Sequence, residues 1–558
     1  MIMGIDVGGT HTDAVLIEDL RIKKKAKVIT NERDLLDSLW RVTDDLLREE
    51  NPERLERVVL STTISTNAIV QGKTNRVGMI LVSGPGLSPS LLRINEDCHF
   101  IPGYVNHRGM EIAGIDRDNV SRIGERFQRD GIDHCGIVGK FSIRNPQQEI
   151  EIRETIATHV RHVSLGHRMA GRLNFPRRIA TTFLNEAIRE IYTNFVKQVL
   201  DLMHLRNVSV PIYILKADGG TIDIAQSGEF PVQTILSGPA ASIMGILSMV
   251  ESRDDAIALD IGGTTTDIAV FAGGVPLLEA VGVTIFGHKT LVRGLRIRSI
   301  GVGGDSRVRC EDGRIVIGPE REGPAAAFGG PFPTPTDAMI VLGLTSIGER
   351  ERAKGALLPL SRHMQCSVLE AAKTIFEQTC EKIASACLDE MEAIVNRPVY
   401  TIHEILEDRR LEPKILYVVG GSARPMAFRL GEMLGCPVYI PEHAEVANAI
   451  GAALARTTAE MTILADTEQG TLTIGEEGDR IVIPPQFTRE DAIGIAKEKL
   501  RERAIKMGAK EEDLEIEVTE DQEFNMVRGF YTTGKNIRVR VQVKPGLIAS
   551  LRMGDGIC

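Results

Sequence analysis

The sequence predicts an α/β protein with a duplicated core, and three observations carry that reading. Strand-like apolar runs alternate with helical stretches along most of the chain, the order that builds sheets flanked by helices. The octapeptide DVGGTHTD (Asp6 to Asp13) returns as DIGGTTTD (Asp260 to Asp267), 254 positions downstream. That separation is far beyond the ~20–50-residue periods of solenoids, so it marks one duplicated unit with insertions. Finally, 558 residues exceed a single ordinary core, and about two to four domains are expected.

Residues 2–7 and 12–17 read as strands joined by the Gly8-Gly9 turn, since small turn residues separate runs of Ile, Val and Leu. Between 182 and 205, Phe183, Ala187, Ile191, Phe195 and Val199 recur with helical period and make a long amphipathic helix suited to linking two lobes. VPIYILKADGG (Val210 to Gly220) is a buried strand ending in a glycine turn, and Ser237 and Pro239 open a helix over 237–250. The second hairpin covers 257–271, a second long helix 368–395, and ILYVVGGSA (Ile415 to Ala423) runs from an apolar strand into Gly420-Gly421. After Ala459 the texture changes to a charged helix at 489–507 and the alternating IRVRVQV at 537–543, a small α+β pattern. The expected division is 1–180 with the first turn, 181–457 with the second, and 458–558.

Bulk properties exclude several functions. The formal charge of −10 and the absence of long basic runs argue against nucleic acid as a partner. Lys23-Lys24-Lys25 reads as a solvated strand or turn. Eight cysteines, Cys98, Cys135, Cys310, Cys366, Cys380, Cys387, Cys436 and Cys558, show no C-x-x-C pair and no metal spacing, which fits reduced, mostly buried thiols. The chain opens on MIMGIDV without a leader-like apolar run, and nowhere do eighteen apolar residues follow one another. A cytoplasmic protein without a membrane partner is expected.

The repeated turns carry the chemistry. A Gly-Gly-Thr turn lets backbone approach a ligand, and its successive N–H groups form a concavity for anions, phosphate above all. Thr10, Thr12, Thr264 and Thr266 add hydroxyls, Asp13 and Asp267 close each pattern, and Asp6 and Asp260 at the strand ends offer carboxylates able to hold Mg²⁺ through its water shell. An ordinary hairpin turn needs neither the preceding Asp nor the following Thr-x-Thr-Asp. Two competing patterns fail. Gly72-Lys73-Thr74 lacks the first P-loop glycine, Asn67 standing in its place, and Gly301-Val302-Gly303-Gly304 lacks the helix and acid of a dinucleotide fingerprint.

The doubled D-[VI]-G-G-T-x-T-D, with Gly420-Gly421 after a buried strand, resembles the actin, hexokinase and Hsp70 nucleotide-binding superfold. That resemblance implies two ribonuclease-H-like lobes with ATP between them. It matches Asp6, Gly8, Gly9, Thr10, Thr12 and Asp13 to the first phosphate loop and Asp260, Gly262, Gly263, Thr264, Thr266 and Asp267 to the second. Gly420, Gly421 and Ser422 match the adenosine-side loop.

A narrower resemblance, over most of 1–457, is to the hydantoinase A/5-oxoprolinase family. Its carriers include GIDVGGTHTDAVL, STTISTNAIVQGK, NHRG, VSLGH, TTFLNEAI, KADGG, ILSGPAAS, SIGVGGDSRV and TPTDAMIVLGL. It implies ATP- and Mg²⁺-dependent opening of a small cyclic amide or imide, such as a hydantoin or 5-oxoproline, beside a B-type subunit. A carboxylase or small-molecule kinase of the same superfold, or an ATP-driven chaperone or reactivase, are the alternatives. The chain departs from the family's usual SVGAGGGS by placing Asp305 among the glycines, and its stretch GPEREGPAAAFGGPFP lacks the familiar cysteine-tyrosine element.

Individual candidates follow. Asp218, at a strand end before Gly219-Gly220, is placed either to accept a proton or to cap its loop as an Asx-turn residue. Thr62, Thr63 and Asn67 resemble a cleft-facing, substrate-side element, with a helix cap as the other reading. His167, within the family-like VSLGH, is a substrate-side or structural histidine. His159 and His162 would share a face if their segment is helical.

Overall fold

The computed structural model describes residues 1–31, 34–251, 253–311, 314–396 and 411–552; Cys558 lies outside them. Two sheets repeat one plan. In the first, Ile2–Val7 pairs antiparallel with His11–Glu18, which pairs with Arg21–Ile29, while its other edge runs parallel to Arg57–Thr62 and then Ile212–Leu215. In the second, Ala256–Ile261 pairs antiparallel with Thr266–Ala272 and parallel with Ile415–Val419, which is followed by Val438–Tyr439. This hairpin-plus-parallel-strands order, present twice, is the two-lobed ribonuclease-H-like architecture that the repeat announced.

Both central strands read as unbroken apolar runs because helices cover them. The Ser237–Met249 and Ala447–Leu454 helices cross between the sheets, and glycine makes the crossing possible. A Cβ on Gly245 would lie 1.9 Å from the Ala447 carbonyl, and one on Gly451 1.9 Å from that of Ala241. The open edge at Arg21–Ile29 alternates exposed and half-buried residues, and its Lys23 pairs with Glu18 and Glu50. Charged edges of this kind discourage pairing with another chain.

The first sheet reaches past the expected boundary at 180, because Ile212–Leu215 and Thr221–Asp223 form its far side. Residues 77–165 contribute a parallel sheet of their own, ordered His162–Leu165, His134–Gly139, Val77–Val82 and Cys98–Phe100. The long Phe175–Leu205 helix packs between it and the first sheet, burying Ile179, Leu184 and Ile188 at one end and Tyr192, Phe195 and Val199 at the other. The C-terminal strands, from Glu460–Asp466 onward, form an antiparallel sheet covered by the Arg489–Lys506 helix. Its core is continuous with that of the first sheet: Met3, Leu60, Met461, Leu500 and Val541 belong to one buried cluster. Among the described residues no helix is long and apolar enough to cross a membrane.

Candidate functional site

Hairpin register builds the first turn. It pairs Asp6 with Asp13 and Val7 with Thr12, leaving Gly8 to Thr10 to close the loop. The Gly8 N–H donates to the His11 carbonyl at 3.1 Å. A Cβ on Gly8 would meet that carbonyl at 2.8 Å, whereas Gly9 faces open space. Asp6 is buried; its Oδ2 accepts from Asn448 Nδ2 at 2.6 Å, and its Oδ1 has no hydrogen-bond partner. Burial pushes its pKa up to about 7, and the charges of Asp13 and Asp260 add to the shift. Asp13 is held by Lys27 at 2.8 Å.

The second turn repeats this geometry, with Asp260 opposite Asp267 and the Gly262 N–H donating to the Thr265 carbonyl at 3.0 Å. Asp260 accepts the Ser242 hydroxyl at 2.5 Å, and burial raises its pKa above the ordinary carboxylate range. Asp267 accepts the Ser299 hydroxyl; burial, helped by the Asp260 charge, lifts it to about 7. Behind the turn runs a glycine brace. The Gly304 and Asp305 N–H groups donate to the Gly262 and Gly263 carbonyls at 2.9 and 2.7 Å. A Cβ on Gly303 would stand 2.7 Å from the Gly263 backbone. Gly301 to Gly304 therefore back the second turn.

Asp305 places its carboxylate 2.8 Å from where a Gly263 Cβ would be and 3.6 Å from the Arg321 guanidinium. Burial and Lys27 depress the pKa of His11 in the first turn, and Arg321 contributes to that depression. Arg321 thus bears on His11 of the first turn and on Asp305 behind the second. The charge of Asp13 likewise raises Asp260. The two hairpins therefore lie near enough for their charges to interact.

Gly420 and Ser422 join the second turn. The Ser422 N–H donates to the Ile261 carbonyl at 3.2 Å, and Gly420, at φ 104°, leaves no room for a side chain beside Asp260 Oδ1, 2.5 Å from its Cβ position. Gly421 opens on free space.

Other candidates require correction. The Thr12 and Thr266 hydroxyls turn inward: Thr12 bonds Thr30 at 3.0 Å, and Thr266 donates to the Val302 carbonyl at 2.7 Å. Alternation along a strand puts them on the face opposite Asp13 and Asp267, so only half-buried Thr10 and Thr264 remain at the turns. Asp218 is an Asx-turn residue. Its Oδ1 accepts from the Gly220 N–H at 3.0 Å and its Oδ2 from Thr458 at 2.8 Å. Lys216 and Arg293, 3.7 and 3.6 Å away, overcome burial and hold its pKa below the usual range, which makes it a poor base. It lines a cavity of about 50 Å³ with Glu460, Glu476 and Arg503.

His167 is buried beside the separate parallel sheet, its Nδ1 2.6 Å from Glu149, which also accepts from the Gly139 N–H at 2.7 Å. This is a structural cluster. His159 and His162 share no face, because His162 opens a strand and stacks on His134. Thr62, Thr63 and Asn67 flank the first turn with their polar atoms largely engaged. Thr62 Oγ1 accepts from the Ile64 N–H at 3.2 Å, Thr63 donates to the Val7 carbonyl at 3.3 Å, and Asn67 donates to Thr63 at 3.3 Å.

Sequence reasoning missed Asn448, Ser242, Ser299, Lys27 and Arg321, which touch the turns from distant segments. Only Asp305 carried a signal, a charge within a glycine run. As a receptor for a polyphosphate and Mg²⁺ the cleft fits on two counts. The turns present N–H groups beside open space at Gly9 and Gly421, and a buried carboxylate oxygen of Asp6 lacks a partner. Among the described residues no three ligating side chains are gathered into a metal cage. Mg²⁺, which commonly keeps its water and takes one or two carboxylates plus phosphate oxygens, needs none.

Comparison with known proteins is consistent across sequence and fold. Residues 178–461 match the model of the hydantoinase/oxoprolinase family, and residues 2–160 match that family's N-terminal region. The chain is 24% identical over 544 residues to caprolactamase subunit alpha of Pseudomonas jessenii, covering 90% of this chain and 75% of that one. An acetone carboxylase solved without nucleotide superposes with a TM-score of 0.75 at 16% identity, covering 100% of this chain and 89% of the other. The ATP-dependent caprolactamase of Pseudomonas jessenii gives 0.70 at 19% identity, covering 97% and 87%.

Proposed function

The chain belongs to the hydantoinase/oxoprolinase family, and from that premise we propose that it is an ATP- and Mg²⁺-dependent hydrolase opening a small cyclic amide or imide. It would work as the A-type member of a complex with a B-type subunit. The observation that supports the reading is the pair of matching Gly-Gly-Thr turns, each with a strand-end aspartate at its base, buried Asp6 and half-buried Asp260.

Amides are poor electrophiles, and phosphorylation of the amide oxygen by ATP would activate its carbon toward water. The ring C–N bond would then break with the nitrogen leaving as an amine, and the acyl phosphate would be hydrolysed to carboxylate and phosphate. The protein's share is positioning and electrostatics. Backbone N–H groups of Gly8 to Thr10 and Gly262 to Thr264 bind phosphate oxygens. Asp6 and Asp260, fixed by Asn448 and Ser242, would hold the hydrated metal ion. Arg321, beside Asp305, would balance negative charge near the second turn.

The test is phosphate release from ATP across hydantoins, 5-oxoproline, simple lactams and small ketones with bicarbonate, with and without a B-type partner. Turnover that depends on a cyclic amide supports the reading. Turnover only with a ketone and bicarbonate would make the chain a carboxylase subunit, and stimulation by protein clients alone would make it a chaperone.

A further inference from the structure

A pocket of about 260 Å³ opens beside the second phosphate turn. Leu236 and Pro239 in its wall belong to the start of the Ser237–Met249 helix. The Ser237 hydroxyl donates to the Thr62 carbonyl at 3.1 Å, and the Thr63 N–H next to it donates to Val7 at the first turn at 3.2 Å. Farther along the same helix, Ser242 holds Asp260. The opposite wall includes Ile297 and Ser299, on the strand that pairs with Thr266–Ala272 and places Ser299 opposite Asp267. Two of the pocket's walls thus belong to elements that contact the segments beside the two turns.

Its lining mixes the apolar Leu236, Val283, Leu295 and Ile297 with polar groups, and its volume suits a single small ring. The charges at its edge, Arg177 and Glu279, are opposite in sign, and Arg177 Nη1 already donates to the Gly282 and Thr290 carbonyls at 3.2 and 3.0 Å. A carboxylate entering this space would lose its hydration without a dedicated cation. Ser299 gives its own proton to Asp267, so it offers the pocket lone pairs only and is matched to an N–H donor.

We propose that this pocket is the site of the cyclic amide, and that it selects small uncharged rings bearing a free amide N–H over ring carboxylates. The proposal rests on the nucleotide reading given above. Ser299 accepts the ring N–H, and the apolar walls hold the methylenes beside the phosphate turns.

The test is equilibrium binding to the full chain with Mg²⁺ and a non-hydrolysable ATP analogue, using δ-valerolactam, hydantoin, N-methyl-δ-valerolactam and 5-oxoproline. Valerolactam and hydantoin should bind, and the N-methyl and carboxylate rings at least about tenfold more weakly. Val281→Trp and Thr284→Trp, at exposed positions on the rim, should weaken lactam binding by a similar factor. Unchanged lactam affinity in both variants, a preference for 5-oxoproline, or no ring binding to the nucleotide-loaded wild type overturns the pocket. Nucleotide affinity from the same titration separates the two claims, since a wild type that binds no nucleotide fails the earlier reading first.

Discussion

The two Gly-Gly-Thr turns share one sequence pattern and one backbone geometry, yet they are held differently. The first is open at its second glycine: Gly9 meets nothing within 4 Å, while Thr30 of the neighbouring strand fills the Gly8 and Thr10 carbonyls and Asn448 and Lys27 secure the aspartates. The second is backed by a glycine segment whose N–H groups fill its carbonyls and whose Asp305 presses on Gly263. A repeated motif thus fixes the local shape, and distant segments decide how rigid each copy is. On this view the braced turn is the anvil of the cleft and the open turn the part that adjusts.

The most severe break in that comparison removes the carboxylates. Asp6→Ala and Asp260→Ala should each lower ATP turnover by about 100-fold or more, since each deletes a charge placed for the metal ion. Unchanged nucleotide binding in both variants, measured by titration, would falsify the shared-cleft reading. Glycine substitutions separate the turns next. Gly303→Ala would drive a methyl into the Gly263 backbone, 2.7 Å away, and should cost roughly 1–3 kcal/mol in a denaturant melt together with activity. Gly9→Ala has room, so its melt should match wild type while nucleotide affinity falls. Arg321→Ala, which removes the cation beside Asp305 that also bears on His11, should lower kcat on the order of tenfold with little change in nucleotide affinity.

The elements and the repeat were legible in the sequence because local rules write them. The 368–395 helix and both hairpins follow from apolar periodicity and turn residues. What periodicity does not report is which distant segment packs where. Asn448 lies 442 positions from Asp6 in the chain, and the separate sheet within 77–165 looks, residue by residue, like any other alternation of strand and helix. Asp218 was ambiguous for the same reason: its place at a strand end was correct, but only packing brings Lys216, Arg293 and Thr458 to its carboxylate.

A pH series sharpens the comparison, because one aspartate in each turn, Asp6 and Asp267, has its pKa raised from 3.8 to about 7 by burial. The native state then binds more protons than the unfolded chain between these values. This contribution to stability is fully present below 3.8 and is lost as pH rises through about 7. Asp6→Asn should therefore raise the Tm of the ligand-free protein at pH 8 more than at pH 5. Mg²⁺-nucleotide affinity should fall from pH 8 to pH 6, and the same substitution should flatten the fall.

The smallest effects concern the inward threonines, and they discriminate the turns most finely. Thr30 donates to the Gly8 carbonyl at 2.8 Å whether or not Thr12 is present, so Thr12→Val removes one bond and strands no essential acceptor. Thr266→Val deprives the Val302 carbonyl of the donor supplied by Thr266 at 2.7 Å, directly before the glycine brace. Losing a buried partner costs about 1–3 kcal/mol, against roughly 1 for an ordinary bond. Thr266→Val should consequently lower the melting midpoint more than Thr12→Val, with turnover per folded molecule within about twofold of wild type in both. Thr10→Val and Thr264→Val should show the converse, weaker nucleotide binding with unchanged melts. If instead the inward pair impaired binding without loss of stability, the strands beneath the turns would have to rearrange around the phosphates, and the braced turn could not be the rigid half.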